Sequence, residues 1–360
     1  MEAMLKKDEQ AIFLLRKLYQ NYGYQSYKMS RFEEYDLYVR NKDFLVSDQV
    51  ITFSDKSGKL LALKPDVTLS IIKNAGKTTV GVQRVYYNEN VYRVDPQTRA
   101  FREIMQTGLE CIGDLKDADV AEVALLAAQS LAALGDRFVL DISHMGIVGN
   151  ILKKSGLSPA GQEAAIRCLH QKSSHELIKL CIEENCDPKP LLALLQTSGD
   201  PRQVLDQLEE NTAVTQLRRI CDVLTAAGFG KQIRVDFSVG SDMKYYSGIV
   251  FKGYLEGITT WILSGGQYDK LLQKMGRGGS AVGFAIYLNL LEQIQQTLDF
   301  DVDGVLLYQE DAPLEQVLSV AAQLREQINL LTTTKLPKNL RWRKLYQLLE
   351  GEAVLLEDNG

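Results

Sequence analysis

Three histidines and five cysteines are a thin supply of metal ligands and nucleophiles for 360 residues. The cysteines (Cys111, Cys168, Cys181, Cys186, Cys221) are too scattered for a disulfide framework. Cys181 and Cys186 do not have zinc-ligand spacing, and no second pair completes them. A reduced, cytoplasmic chain without a metal or other cofactor is expected. His144, His170 and His175 form no catalytic pairing, and the last two are expected at the surface. No apolar run approaches the ~20 residues that span a bilayer, and the N-terminal MEAMLKKDEQ holds no apolar signal core. Excess positive charge is missing too: 41 Lys and Arg face 46 Asp and Glu, a net charge of −5. That argues against a broad electrostatic grip on nucleic acid. One gap is local. Val282–Ile286 reads as a strand and Leu288–Glu292 as a helix start, with Gly283 near the junction, a pattern that often holds a phosphate. From Gly283 to Gln295, however, there is no Lys or Arg.

What is present is ordinary for a globular chain: 45 % hydrophobic and 24 % charged residues. The length suits one large domain and a smaller one. Residues 8–22 fit an amphipathic helix, with Ile12, Leu14, Leu15, Leu18 and Tyr19 on its apolar side. Tyr24–Asp36 reads as extended, and Phe44–Ser54 with Leu60–Leu63 as a hairpin around Asp55-Lys56-Ser57-Gly58. Val67–Ala75 reads as a helix; Thr79–Asn88, Asn90–Val94 and Arg102–Ile112 as strands. Asp117–Leu134 is a helix with Asp117 as candidate N-cap, and Phe138–Ile142 a short strand. Residues 147–228 are almost all helical in pattern, broken at Ser158-Pro159, Asp187-Pro188 and Asp200-Pro201. Strands return from Ile233, through Tyr245–Tyr254, to Thr259–Leu263. The tail holds a strand at Val305–Tyr308, a helix at Leu314–Ile328, loop-like Thr332-Thr333-Thr334 and a last strand at Ala353–Leu356. The expected fold is α+β: a mostly antiparallel sheet flanked by helices over 1–295, with a helical insertion at about 147–228. A short α/β appendage follows over 300–360.

Several clusters carry candidate chemistry. On Arg102–Ile112 one face presents Arg102, Ile104, Gln106, Gly108 and Glu110. Glu110 sits among Leu109, Cys111 and Ile112, where a carboxylate needs a partner such as a cationic ligand; the plainer reading is a strand with one solvated face. In Lys64-Pro65-Asp66-Val67-Thr68, Asp66 or Thr68 would cap the following helix, or hold an ammonium group. Gly265-Gly266 before Gln267-Tyr268-Asp269 is either a tight turn or a close approach to a ligand lined by Tyr268. Tyr245 and Tyr246 are read as opposite faces of a strand, one in the core and one lining a cleft.

The order of these blocks, ending in Gly283-Phe284-Ala285-Ile286, resembles the catalytic domain of histidyl-tRNA synthetase over residues 8–295. The resemblance implies a class II aminoacyl-tRNA synthetase-like fold. It also implies a histidine pocket in which Asp66 and Thr68 bind the α-amino group, Gln106 and Glu110 line the cavity, Tyr245 or Tyr246 packs on the imidazole and Tyr268 closes the edge. Arg93, matching a nucleotide-binding arginine of the family, is counted with this site. The departures are specific. An arginine of the pattern four residues before the Tyr pair is Ser241 here. The run Gly-Phe-Ala-x-Gly-x-Glu-Arg continues as Tyr287, Asn289 and Leu290, so its glycine, acid and ATP-binding arginine are replaced. A triphosphate there would lack its charge-assisted donors.

A kept amino-acid pocket beside a dismantled nucleotide site resembles the regulatory subunits of ATP phosphoribosyltransferase, whose Ser-x-Met-x-Tyr-Tyr-x-Gly-Ile pattern reads here Ser241 to Ile249. That family implies no catalysis by this chain. It implies a hetero-oligomer with a short catalytic subunit, histidine as feedback effector, self-dimerisation, and a tail that is a remnant of an anticodon-binding-like domain. Two other readings stay open: an unusual histidyl-tRNA synthetase, and another synthetase-like histidine-binding protein.

Overall fold

The computed structural model describes residues 7–45, 50–74, 81–95, 98–240, 245–294 and 300–359. It divides into two compact units, Met1–Gln293 and Ile294–Gly360.

The first unit is built on a nine-stranded sheet. In spatial order its strands are Gln25–Ser26, Val82–Val94, Phe101–Gly113, Ser280–Tyr287, Leu263–Gln267, Ile249–Leu255, Phe138–His144, Ile233–Asp236 and Ser198–Gly199. Pairing is antiparallel except between Gln25–Ser26 and Val82–Val94 and between Phe138–His144 and Ile233–Asp236. Thr79 and Val80 lie outside the described residues, and the expected pair of strands after them is one continuous strand, Val82–Val94. The expected solvated face on the next strand is confined to its first residues; from Gln106 onward both faces are buried.

Two helices cover one side of this sheet. Lys7–Asn21 buries Ala11, Leu15 and Tyr19, spaced one turn apart. Asp117–Leu134 is buried along most of its circumference by alanines, valines and leucines. Tyr19 Oη lies 3.1 Å from Ser130 Oγ, tying the two together. Gly253 lets the second helix seat closely, since a Cβ there would fall 2.6 Å from Leu131 Cδ1. The cap position of that helix is Lys116 rather than Asp117; the Lys116 N–H donates to Asp119 Oδ2 at 2.8 Å.

The helical insertion runs through Met145–Lys154, Pro159–Gln171, Ser174–Glu183, Lys189–Gln196, Pro201–Leu205 and Thr212–Leu224. Its breaks fall at the expected dipeptides. Ser158 accepts from the Gly161 N–H, and Asp200 from the Arg202 and Gln203 N–H groups, each with proline at the first helical position. One edge strand, Ser198–Gly199, interrupts it and pairs with Ile233–Asp236.

A three-stranded sheet, Phe32–Glu34, Leu60–Leu63 and Thr52–Ser54, stands apart from the main one. Its hairpin turns where Asp55 Oδ1 accepts from the N–H groups of Ser57 (2.8 Å) and Lys59 (2.9 Å), with Gly58 at φ +82°. Extended structure does not fill 24–36: Tyr35–Arg40 is helical, and Phe44 ends a short 3₁₀ turn, Lys42–Phe44.

The second unit is a four-stranded sheet ordered Leu330–Thr333, Val302–Leu307, Trp342–Leu349 and Glu352–Asp358, with the helix Leu314–Arg325. Leu306, Val317, Val320, Ala321, Leu330 and Leu348 form its core. One expectation fails here, and one strand was not foreseen. Thr332 and Thr333 belong to a strand, because Leu330 anchors that run in the core. Trp342–Leu349 is a strand despite three charged or amide residues among its eight. Its buried residues, Leu345 and Leu348, stand three apart, which breaks the alternation that would mark a strand.

Candidate functional site

A cavity of about 310 Å³ opens on the sheet face opposite the two covering helices. Sheet register explains why these residues meet. Gly283 lies beside Glu110, Tyr287 beside Gln106, and Gly266 beside Gly283. Residues distant in sequence therefore form one floor. All eight residues singled out from the sequence (Asp66, Thr68, Arg93, Gln106, Glu110, Tyr245, Tyr246 and Tyr268) line this cavity.

Glu110 is the centre of the floor, 2 % exposed. It accepts hydrogen bonds from Thr68 Oγ1 at 2.8 Å and from the Tyr268 hydroxyl. Burial disfavours its charged form and raises its pKa from 4.5 to about 8; the two hydroxyls oppose that rise and the Asp66 charge adds to it. Gly283 makes room for the carboxylate: a Cβ there would fall 1.8 Å from Glu110 Oε2. This glycine thus serves the side chain of the neighbouring strand.

Asp66 does two things. Its Oδ1 accepts from the Leu69 N–H at 3.0 Å, holding the first turn of the helix Thr68–Asn74. It also faces the cavity. Burial raises its pKa, while the Leu69 N–H and the Arg93 guanidinium oppose the rise. Capping and ligand-facing roles are therefore combined in one side chain. Gln106 is 2 % exposed, and its Nε2 has no hydrogen-bond partner among the described residues. A buried donor left unpaired costs ~1–3 kcal/mol, which a ligand acceptor would relieve.

Three of the five tyrosines that line the cavity stand together. Tyr245 and Tyr246 are edge-on to each other with ring centroids 4.7 Å apart, and Tyr245 lies 5.8 Å from Tyr268. They do not occupy opposite faces of a strand, because the strand starts only at Ile249; both face the cavity. Gly265 and Gly266 are not a turn either. They lie inside the strand Leu263–Gln267, where a Cβ on Gly266 would meet the Tyr246 ring at 2.7 Å. Ser241 lies outside the described residues.

The cavity's other end is occupied by aromatic groups and cations. The Tyr287 ring packs edge-on against Trp261 at 5.0 Å, and the Arg93 guanidinium stands 5.8 Å from the Tyr287 centroid. Arg93 Nε also donates to the Pro65 carbonyl at 3.0 Å. Asn289 is exposed and Leu290 half-buried, in the 3₁₀ segment Leu288–Gln293. Tyr87, Lys252 and Trp261 line the cavity as well and were not foreseen from the sequence. His144 lies away from it: its Nδ1 accepts from the Gly146 N–H at 3.0 Å, capping Met145–Lys154, and its Nε2 is 2.8 Å from Gln216 Oε1.

A buried carboxyl, a second carboxylate on the wall, an unpaired amide donor and three tyrosines make a pocket for a small polar zwitterion with a ring. Fold and site together define a class II aminoacyl-tRNA synthetase-type amino-acid domain. The comparisons narrow this. The family model for histidyl-tRNA synthetase matches residues 2–291. The ATP phosphoribosyltransferase regulatory subunit of Alkaliphilus metalliredigens is 32 % identical over 292 residues, 77 % of this chain and 73 % of that protein. The histidine–tRNA ligase of Methanocaldococcus jannaschii is 26 % identical over 345 residues, 91 % of this chain and 82 % of that protein. Among solved structures, an ATP phosphoribosyltransferase regulatory subunit/histidyl-tRNA synthetase from Bacillus halodurans superposes with a TM-score of 0.76 at 21 % identity, covering 95 % of this chain and 93 % of that one. A chain of the ATP phosphoribosyl transferase (HisG:HisZ) complex from Thermotoga maritima gives 0.66 at 17 % identity, covering 78 % and 97 %. The chain belongs to the histidyl-tRNA synthetase-like family and, within it, to the ATP phosphoribosyltransferase regulatory subunits.

Proposed function

We propose that this chain is a non-catalytic regulatory subunit that completes a hetero-oligomeric ATP phosphoribosyltransferase in the cytoplasm, and that histidine binding in the cavity carries feedback regulation. The name and identity of its relatives support the assembly. The carrying observation is the contrast within one cavity: an intact amino-acid end around Glu110, Thr68 and Tyr268, and a nucleotide end occupied by Tyr287 with Arg93 stacked on it. Histidine's ammonium group would meet Asp66 and Thr68 and its ring Glu110 between Tyr245, Tyr246 and Tyr268, with Gln106 lining the same pocket. Feedback requires that histidine bind one state of the complex better than another, with coupling typically ~1–3 kcal/mol. The unit Ile294–Gly360 is read as a reduced anticodon-binding-like domain, and self-association as part of the assembly.

The reading is tested by calorimetric titration of the chain with histidine and, separately, ATP, and by histidine-dependent ATP–pyrophosphate exchange. Heat with histidine, none with ATP and no exchange are expected. Glu110→Gln and Asp66→Asn should remove histidine sensitivity from the complex while the chain stays folded. Feedback that survives Glu110→Gln, or exchange above background, overturns the reading. No helix among the described residues is long and apolar enough to cross a membrane.

A further inference from the structure

An amino acid brings a carboxylate as well as an ammonium group, and a carboxylate removed from water needs a cation or several N–H donors. Among the described residues two cations line the cavity, Arg93 and Lys252. Arg93 is committed: it donates to Pro65, stacks on Tyr287 and offsets the Asp66 charge. Lys252 is not. It is half-buried, projects from the strand Ile249–Leu255 on the cavity face, and has no hydrogen bond or ion pair among the described residues.

The carboxylates beside it are already taken. Asp141, its register partner on the next strand, is held by Arg234 through two hydrogen bonds of 2.8 and 2.9 Å. Asp236 is held by Lys172 at 2.8 Å. Both pairs line a second cavity of about 500 Å³, which shares Val239, Lys252 and Trp261 with the first. Lys252 therefore stands where the two cavities join, as the cation whose charge is not spent. Nζ lies 5.6 Å from the Trp261 centroid, and Trp261 packs on Tyr287, so the aromatic pair carries a cation at each end.

We propose that Lys252 is the cation that receives the carboxylate of the amino acid bound in this cavity, so that the site selects an intact amino acid over an analogue lacking the carboxylate. The proposal rests on the histidine reading above and deepens it. It assigns the specificity for the carboxylate to a strand residue that holds no anionic partner among the described residues.

The test compares histidine with histidinol, in which a hydroxymethyl group replaces the carboxylate. Both are titrated into the full chain and into Lys252→Met and Lys252→Arg. A charge-assisted contact of this kind should favour histidine over histidinol by about 10–100-fold in the unaltered chain. Lys252→Met should bind histidinol within about 3-fold of the unaltered chain and lose the preference for histidine; Lys252→Arg should restore most of it. Methionine replaces a cation without an ionic partner by an apolar chain of similar length, so folding is expected to survive, and circular dichroism checks this. A preference that persists in Lys252→Met overturns the proposal. So does an equal loss of both ligands in a folded variant. Inorganic phosphate is titrated in parallel: if Lys252→Met abolishes phosphate binding and leaves the preference intact, the lysine serves a free anion in the second cavity and the proposal fails. An unaltered chain that binds neither histidine nor histidinol sinks the histidine reading, and this inference with it.

Discussion

Glu110→Gln offers a sharp physical test of the site, because the buried carboxyl should leave its mark on stability as well as on binding. Burial raises its pKa in the folded chain from 4.5 to about 8. Between those values the folded state holds a proton that the unfolded state has released. The stability this group contributes is therefore fully present below pH 4.5 and is lost as pH rises through 8, at up to ~1.4 kcal/mol per pH unit. Integrated, the loss is roughly 2 kcal/mol between pH 6 and pH 8 and about 4–5 kcal/mol over the whole window. The substituted glutamine would carry no titrating proton, and its amide oxygen can still accept from Thr68 or Tyr268 once the two hydroxyls reorient. Urea unfolding at pH 6, 7 and 8 gives the difference between the two chains at each pH, which cancels every other titrating group. The variant should gain roughly 2 kcal/mol on the unaltered chain between pH 6 and 8. A difference that does not change with pH refutes the reasoning: Glu110 would then be ionised, or hydrated, in the folded chain.

Other perturbations probe the support around the site. Gly283→Ala places a Cβ 1.8 Å from Glu110 Oε2 and 2.4 Å from the Leu109 carbonyl oxygen, and the carbonyl is backbone that cannot step aside; a loss of about 3 kcal/mol or more is expected in denaturant unfolding. Lys64 is fully buried and paired with Glu89. Lys64→Ala should cost about 3–5 kcal/mol by stranding that carboxylate, seen as a lower urea midpoint. His144→Ala removes a helix cap and should cost about 1–2 kcal/mol at pH 8. Burial holds the His144 pKa below 6.5, so the folded state takes up fewer protons, and the cap's contribution should shrink as pH falls below 6.5.

The helical insertion and the alternation on Phe101–Gly113 were legible in sequence because each rests on local signals. Ser-Pro and Asp-Pro dipeptides favour helix starts wherever they occur, and a period of two puts Gln106 and Glu110 on one side whatever the neighbours are. Gly265 and Gly266 were left between a turn and a close approach because two glycines in a row signal a turn locally. Here they are demanded by contacts from other segments, the Phe284 Cβ on one and the Tyr246 ring on the other. The Tyr245-Tyr246 pair was misplaced for a similar reason: alternation predicts opposite faces only inside a strand, and the strand begins three residues later. Lys252, Trp261 and Tyr87 carry no local mark at all. They join the site through sheet register and through the packing of Trp261 on Tyr287, which pairs residues 26 positions apart. In the last unit the strand Trp342–Leu349 was not foreseen, because its charged and amide residues leave only two buried leucines, three apart, as a signal.

The central claim is that this chain regulates and does not catalyse. Its most direct test is the activity of a short catalytic ATP phosphoribosyltransferase subunit measured alone, with this chain, and with this chain plus histidine. The account predicts little activity alone, activity on addition of the chain, and inhibition by histidine that Glu110→Gln removes. Histidine-dependent ATP–pyrophosphate exchange by this chain on its own, with no effect on the transferase, would contradict it.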